Sequence, residues 1–171
     1  MTIVSKLALK KIKIIITDVD GVLNDGKRFY SKNSESVKTF HVRDGMAINI
    51  LKRNNISTII LTKETSDIVR NWAKRMNVSL TIMGANKKEL KLNQILKKFN
   101  VQKHEIAYIG DDVNDISLLN MVGFSACPND ASIQVKKIVN YICKKNGGSG
   151  VLREITDLVL TTKFGNKVNW Y

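Results

Sequence analysis

The chain holds a single proline, Pro128, and no repeat or low-complexity stretch, so nothing in it reads as a linker between domains. It has two cysteines, Cys127 and Cys143, which form neither a disulfide framework nor the spacing of a metal site. Both read as small buried apolar residues, which points to a reducing cytoplasm. No apolar run approaches the length of a membrane span. Residues 1–9 are short and basic, without the apolar stretch or cleavage signal of a secretory peptide. Acidic residues are the scarcer charge: 15 Asp and Glu stand against 28 Lys and Arg, a net charge of +13. That surplus invites a nucleic-acid reading. However, the lysines are spread over 6–13, 87–103 and 136–145, segments read as helical surface, with no interleaved aromatics and no nucleic-acid motif. The preferred reading is a solvated basic surface whose field attracts anionic small molecules. Neither nucleic acid nor membrane is expected as a partner.

What is present is an alternation of strand and helix. Strands are expected at 13–17, 57–61, 79–83, 105–109, 123–126 and 139–142. Helices are expected at 45–54, 66–76 and 88–100, each with its apolar residues on one face. Trp72 and Phe99 fall on those faces and read as core. Short β runs alternating with helices give an α/β fold, a Rossmann-like three-layer sandwich with a mostly parallel sheet. Residues 27–42 break the alternation and read as a β-hairpin after the first strand. At 171 residues, with 43 % apolar content, one domain over 1–160 is expected, followed by a tail over 161–171 that is either disordered or docked.

The most informative run is Ile14-Ile15-Ile16-Thr17-Asp18-Val19-Asp20-Gly21. A buried strand runs into two aspartates at i and i+2, which strand geometry would point the same way. Two such carboxylates repel unless a cation or a shared proton sits between them. An ordinary Asp-Gly turn is the bland alternative. In open parallel sheets ligands sit beyond the carboxyl ends of the strands. There the second strand ends at Thr62, and the third leads through Gly84 to Lys87 and Lys88. The fourth ends in Gly110-Asp111-Asp112, with Asn114 and Asp115 following. Carboxylates, a hydroxyl and an ammonium at one sheet edge suit phosphoryl transfer through an aspartyl phosphate.

The ordered set Asp18-Val19-Asp20-Gly21-Val22, Thr62, Lys88 and Gly110-Asp111-Asp112-Val113-Asn114-Asp115 resembles the four motifs of the haloacid dehalogenase superfamily. The segments Phe40-His41-Val42-Arg43-Asp44-Gly45-Met46 and Gly147-Gly148-Ser149-Gly150-Val151-Leu152-Arg153-Glu154 are similar to its small phosphatases of 3-deoxy-D-manno-octulosonate 8-phosphate, a lipopolysaccharide sugar acid. Leu61-Thr62-Lys63-Glu64-Thr65-Ser66 leans towards relatives acting on nine-carbon sugar-acid 9-phosphates. Other relatives are fused to sugar-acid cytidylyltransferases. A receiver-like phospho-acceptor domain is the alternative from another class, but its acidic pair follows the first strand, whereas Asp111-Asp112 comes late.

The resemblance implies Asp18 as nucleophile and Asp20 as acid and base. It implies Mg²⁺ on Asp18, Asp111 and the backbone carbonyl of Asp20. Asp112 and Asp115 would hold metal-bound water or orient neighbours, and Thr62 and Lys88 would bind the phosphoryl group. Arg43, Gly45 and Arg153 would bind a phosphorylated sugar acid. For the two arginines, exposed pairs with Asp44 and with Glu154 or Asp157 are the bland alternative. The backbone of the turn 147–150 would approach a ligand or simply lead into the last helix. The family often has glycine where Lys63 stands, so Lys63 would either crowd the phosphate loop or add positive charge near the substrate. No cap domain is expected, because 21–61 is taken up by hairpin and helix. The resemblance instead implies a homotetramer in which a neighbour covers each site. Phe29, Tyr30 and Phe40 would either supply its interface or pack on their own sheet.

Overall fold

The computed structural model describes residues 3–30, 32 and 35–171, without the side chains of residues 3–5, 30, 35 and 36. After α1 (Ile3–Lys11) comes β1 (Ile14–Thr17), then the hairpin β2 (Phe29–Tyr30) and β3 (Glu35–Val37). The chain continues through α2 (Val42–Arg53), β4 (Ser57–Leu61), α3 (Asp67–Arg75) and β5 (Leu80–Ile82). A 3-10 turn, Lys88–Lys91, opens directly into α4 (Leu92–Phe99). The remaining elements are β6 (Ile106–Ile109), α5 (Ile116–Leu119), β7 (Phe124–Cys127), α6 (Ile133–Lys136), β8 (Tyr141–Ile142) and α7 (Val151–Phe164).

The sheet has the order β5-β4-β1-β6-β7-β8 with every pairing parallel. Its strands alternate between two apolar layers, as a period of two requires when both faces are covered. Ile15, Ile60 and Ala107 face one layer with Ile48, Leu51, Val69, Ala73 and Val159. Ile14, Ile16, Ile59, Leu61 and Tyr108 face the other with Leu92, Ile95, Leu118 and Val135. The result is the expected three-layer sandwich. Cys127 and Cys143 are buried as free thiols within these layers.

β1 lies at the centre, and the connections run away from it in opposite directions, through β4 on one side and β6 on the other. That reversal opens a crevice beyond the carboxyl ends of β1, β4 and β6. It lies where Asp18, Thr62 and Asp111 leave the sheet.

Several boundaries differ from expectation. Residues 136–145 are not one helix: α6 stops at Lys136 and β8 follows. The 139–142 strand shrinks to Tyr141–Ile142 at the sheet edge, where only β7 is available to pair with it. α7 carries the chain past residue 160 to Phe164. The segment beyond it docks. Asn54 Nδ2 donates to Asn169 O at 2.8 Å, Asn169 N donates to Asn54 Oδ1 at 3.0 Å, and Val168 is buried. The hairpin pairs Phe29 with Val37. The Tyr30 side chain and Ser31, Asn33 and Ser34 of its turn lie outside the described residues. Phe40 stacks on Trp72 of α3, ring centroids 4.3 Å apart, and so packs on its own chain, while Phe29 is exposed.

Candidate active site

β1 ends at Thr17, one residue before the first aspartate. Asp18 and Asp20 therefore reach one cavity through the turn that follows, not through strand pleating. Asp18 N still continues the ladder, donating to Ile109 O at 3.0 Å. The Asp18 side chain is buried, and its Oδ1 accepts from Val19 N at 2.7 Å. Its Oδ2 accepts from Lys88 Nζ at 2.5 Å. Lys88 is also buried, and its ammonium donates to Asp115 Oδ1 at 2.6 Å and Tyr108 Oη at 3.3 Å. All three of its donors are thus engaged. Burial works against the charged ammonium, but Asp18 and Asp115 outweigh it and hold Lys88 above its ordinary value. Burial pushes the Asp18 carboxyl up to about 6, with the Asp115 charge adding to the rise and Lys88 opposing it.

Asp20 has its own cations. Its Oδ1 accepts from Asn24 Nδ2 at 2.7 Å and from the Lys38 ammonium, and its Oδ2 accepts from Arg28 at 2.9 Å. Burial raises its carboxyl, but Asn24, Lys38 and Arg28 together hold it below the usual value. The repulsion expected between the paired aspartates is thus answered by separate partners: Lys88 for one, Lys38 and Arg28 for the other. Gly21 follows with φ +83°, and a Cβ there would lie 2.0 Å from Asp111 Oδ2. Only glycine allows both that backbone and that approach.

Asp115 is buried and saturated. Oδ1 accepts from Lys88 and from Tyr108 Oη at 2.6 Å, and Oδ2 accepts from Asp111 N at 2.9 Å. Asp112 caps the short turn after β6, accepting from Val113 N at 2.8 Å. Asp111 differs from both, because among the described residues its carboxylate accepts no hydrogen bond and pairs with no cation. Burial, then the Asp18 and Asp115 charges, push it up to about 8. Carboxylate oxygens of Asp18, Asp111 and Asp115 lie within 4.8 Å of one another. An all-oxygen set with an unsatisfied, crowded carboxylate fits a hard divalent cation.

The cavity above these groups has a volume of about 460 Å³. Asp18, Asp20, Thr62 and Asp111 line it with Asp112, and Lys88 lies buried behind Asp18. The structure does not bring the expected sugar-acid residues there. Arg43 and Arg153 line a second cavity, with Tyr141, Lys144 and Ser149. Arg153 Nε donates to Asp157 Oδ1 at 2.7 Å, the surface pairing weighed as the bland alternative. Arg43 has no ion pair among the described residues, because Asp44 turns inward and accepts from Arg153 N at 2.8 Å at the start of α7. Gly45 sits inside α2, where a Cβ would meet Met76 Sδ at 2.5 Å, so its smallness serves helix packing. The turn 147–150 approaches no ligand cavity through its first two glycines. Gly147 and Gly148 pack against the backbone of Gly21, Asn24 and Asp25, with Gly148 N donating to Val22 O at 3.0 Å. The sequence reading missed Arg28, Lys38 and Tyr108. No motif marks them: Arg28 and Lys38 reach back to Asp20 from 8 and 18 residues on, and Tyr108 meets Lys88 across 20 residues.

These features define a class: a parallel α/β hydrolase core with a buried aspartate at the end of its central strand, facing further carboxylates and a lysine. The chain belongs to the haloacid dehalogenase-like hydrolase family, whose model matches residues 2–155. Among curated relatives it is 38 % identical, over 89 % of this chain and 84 % of the relative, to the 3-deoxy-D-manno-octulosonate 8-phosphate phosphatase of Haemophilus influenzae. A cobalt-bound structure of that organism's phosphatase superposes with a TM-score of 0.89 at 37 % identity, covering 91 % of each chain. The Moraxella catarrhalis phosphatase, in complex with a magnesium ion, a phosphate ion and a 3-deoxy-D-manno-octulosonate molecule, superposes with a TM-score of 0.89 at 33 % identity. That match covers 92 % of this chain and 91 % of the other.

Proposed function

We propose that this chain is a phosphomonoester hydrolase that removes phosphate from 3-deoxy-D-manno-octulosonate 8-phosphate through an aspartyl phosphate on Asp18. The observation that carries the reading is the convergence of Asp18, Asp20, Thr62 and Asp111 on one cavity, with Lys88 bonded to Asp18. The likeness to phosphatases of that substrate over most of the chain gives the sugar acid. In the first step a carboxylate oxygen of Asp18 attacks phosphorus and the bond to the sugar oxygen breaks; that oxygen takes its proton from Asp20, which has to enter the step protonated against the pull of Lys38 and Arg28. In the second step Asp20 takes a proton from water, the water oxygen attacks phosphorus, and the Asp18 carboxylate is released with inorganic phosphate. Lys88 holds Asp18 in place through both steps, and Thr62 binds the phosphoryl oxygens. Asp18, Asp111 and the Asp20 carbonyl would hold Mg²⁺, with Asp115 orienting Asp111 and Asp112 shaping its turn. When bound, the cation supplies positive charge against the phosphate oxygens.

The same reading makes the enzyme a cytoplasmic homotetramer. In support, the hairpin exposes the apolar side chains of Phe29 and Val37, and α2 exposes those of Val42 and Met46. Among the described residues no helix is long and apolar enough to cross a membrane. Light scattering should give the mass of four chains, and a monomer that is fully active would exclude shared sites. The function itself is tested by phosphate release from a panel of phosphorylated sugar acids with Mg²⁺. Turnover of the eight-carbon 8-phosphate, abolished by EDTA and restored by Mg²⁺, is expected. Preference for a nine-carbon 9-phosphate would change the substrate, and indifference to EDTA would remove the metal.

A further inference from the structure

The cations around the catalytic cavity are not equivalent. Arg28 is committed twice, to Asp20 at 2.9 Å and to Glu64 at 3.5 Å. The ammonium groups of Lys38 and Lys88 are buried against Asp20 and against Asp18 and Asp115. Lys63 is different. It lines the same cavity, is exposed, and makes no hydrogen bond or ion pair among the described residues. The backbone just before it is nevertheless held. Thr62, one residue before it, is tied on both sides: Thr62 N donates to Ile82 O at 3.0 Å, and Ala85 N donates to Thr62 O at 3.1 Å. Among the described residues that line this cavity, Lys63 therefore carries the one uncommitted ammonium, next to a backbone held at Thr62.

A phosphorylated sugar acid carries two anionic ends. Its phosphate must reach Asp18, which is buried at the floor of the cavity. Its carboxylate lies at the other end of the carbon chain and so falls towards the rim. There it meets walls that carry Asp112 and Glu64. A carboxylate is tolerated among such neighbours only when a cation faces it. Arg28 would have to leave two acids to serve, whereas Lys63 gives up nothing. We propose that the Lys63 ammonium pairs with the substrate carboxylate and is the residue by which this enzyme selects sugar acids over neutral sugar phosphates. The proposal rests on the phosphatase reading and adds to it the residue that reads the acid.

The test compares kcat/KM for 3-deoxy-D-manno-octulosonate 8-phosphate with that for the same compound carrying a neutral primary amide in place of its carboxylate. Wild-type enzyme and Lys63→Met are both assayed with Mg²⁺. The ratio of the two kcat/KM values is expected to fall about tenfold in Lys63→Met, carried by KM, as loss of one charge-assisted contact predicts. Lys63→Arg should restore the ratio. An unchanged ratio, or an equal fall for both compounds, overturns the proposal. Failure of the wild-type enzyme to hydrolyse either compound overturns the phosphatase reading itself. Equal wild-type turnover of both compounds leaves that reading standing and removes Lys63 from selection.

Discussion

Asp44 shows how a single buried acid can serve the fold instead of the chemistry. It is fully buried, with Oδ1 bonded to Arg153 N and Oδ2 without a hydrogen-bond partner among the described residues. Burial pushes its carboxyl from 3.8 up to about 7, against the backbone donors of α7 and the Arg153 charge. Between those two values the folded chain keeps a proton that the unfolded chain has released. Its contribution to stability is therefore complete below the unfolded value and is lost as pH rises through about 7. Asp44→Asn is neutral throughout and keeps an acceptor for Arg153 N. Relative to wild type the variant should gain stability from acid to neutral pH, at about 1.4 kcal/mol per unit of pKa difference. Chemical denaturation at both ends of that window reads the gain, and a difference that does not change with pH would refute it. The sequence did not single out this role. Asp44 stood there only in the alternative of an exposed pair with Arg43, because nothing local says that α7 will start against it.

At the scale of elements, the six strands of the sheet were legible because they are short, mostly apolar runs between helical patterns, β-branched above all in β1 and β4. The two short helices α5 and α6 were not, having too few turns to display a period. The loops that hold the site were legible where a motif named them and opaque where tertiary approach decides. Gly21 illustrates the second kind: in sequence it is part of an Asp-Gly turn, while in space it makes room for Asp111. Gly21→Ala would force a side chain into a left-handed backbone and onto the Asp111 carboxylate. We expect a stability loss of about 2 kcal/mol. We also expect the rise in melting temperature that Mg²⁺ gives the wild type to disappear. A variant that Mg²⁺ stabilises as it does the wild type would show that the turn is not part of the cation site.

For the whole molecule, topology explains why scattered motifs meet. β1 at the centre of β5-β4-β1-β6-β7-β8 puts Asp18 between Thr62 and Asp111, and the 3-10 turn at Lys88 folds back beneath them. That much followed from an alternating pattern and the rule that ligands bind beyond strand ends. The separation of Arg43 and Arg153 from the cleft did not, since it depends on how α2 and α7 pack behind the sheet. The net charge of +13 favours approach of an anionic substrate without selecting one. The central claim is that Asp18 carries the phosphoryl group between attack and release. An acid-quenched reaction with substrate labelled at phosphorus, followed by peptide mapping, tests it directly. The label should sit on the peptide containing Asp18 and be missing from Asp18→Asn, with turnover reduced more than about a thousandfold. Label on any other residue, or near-normal turnover by the variant, would contradict the account.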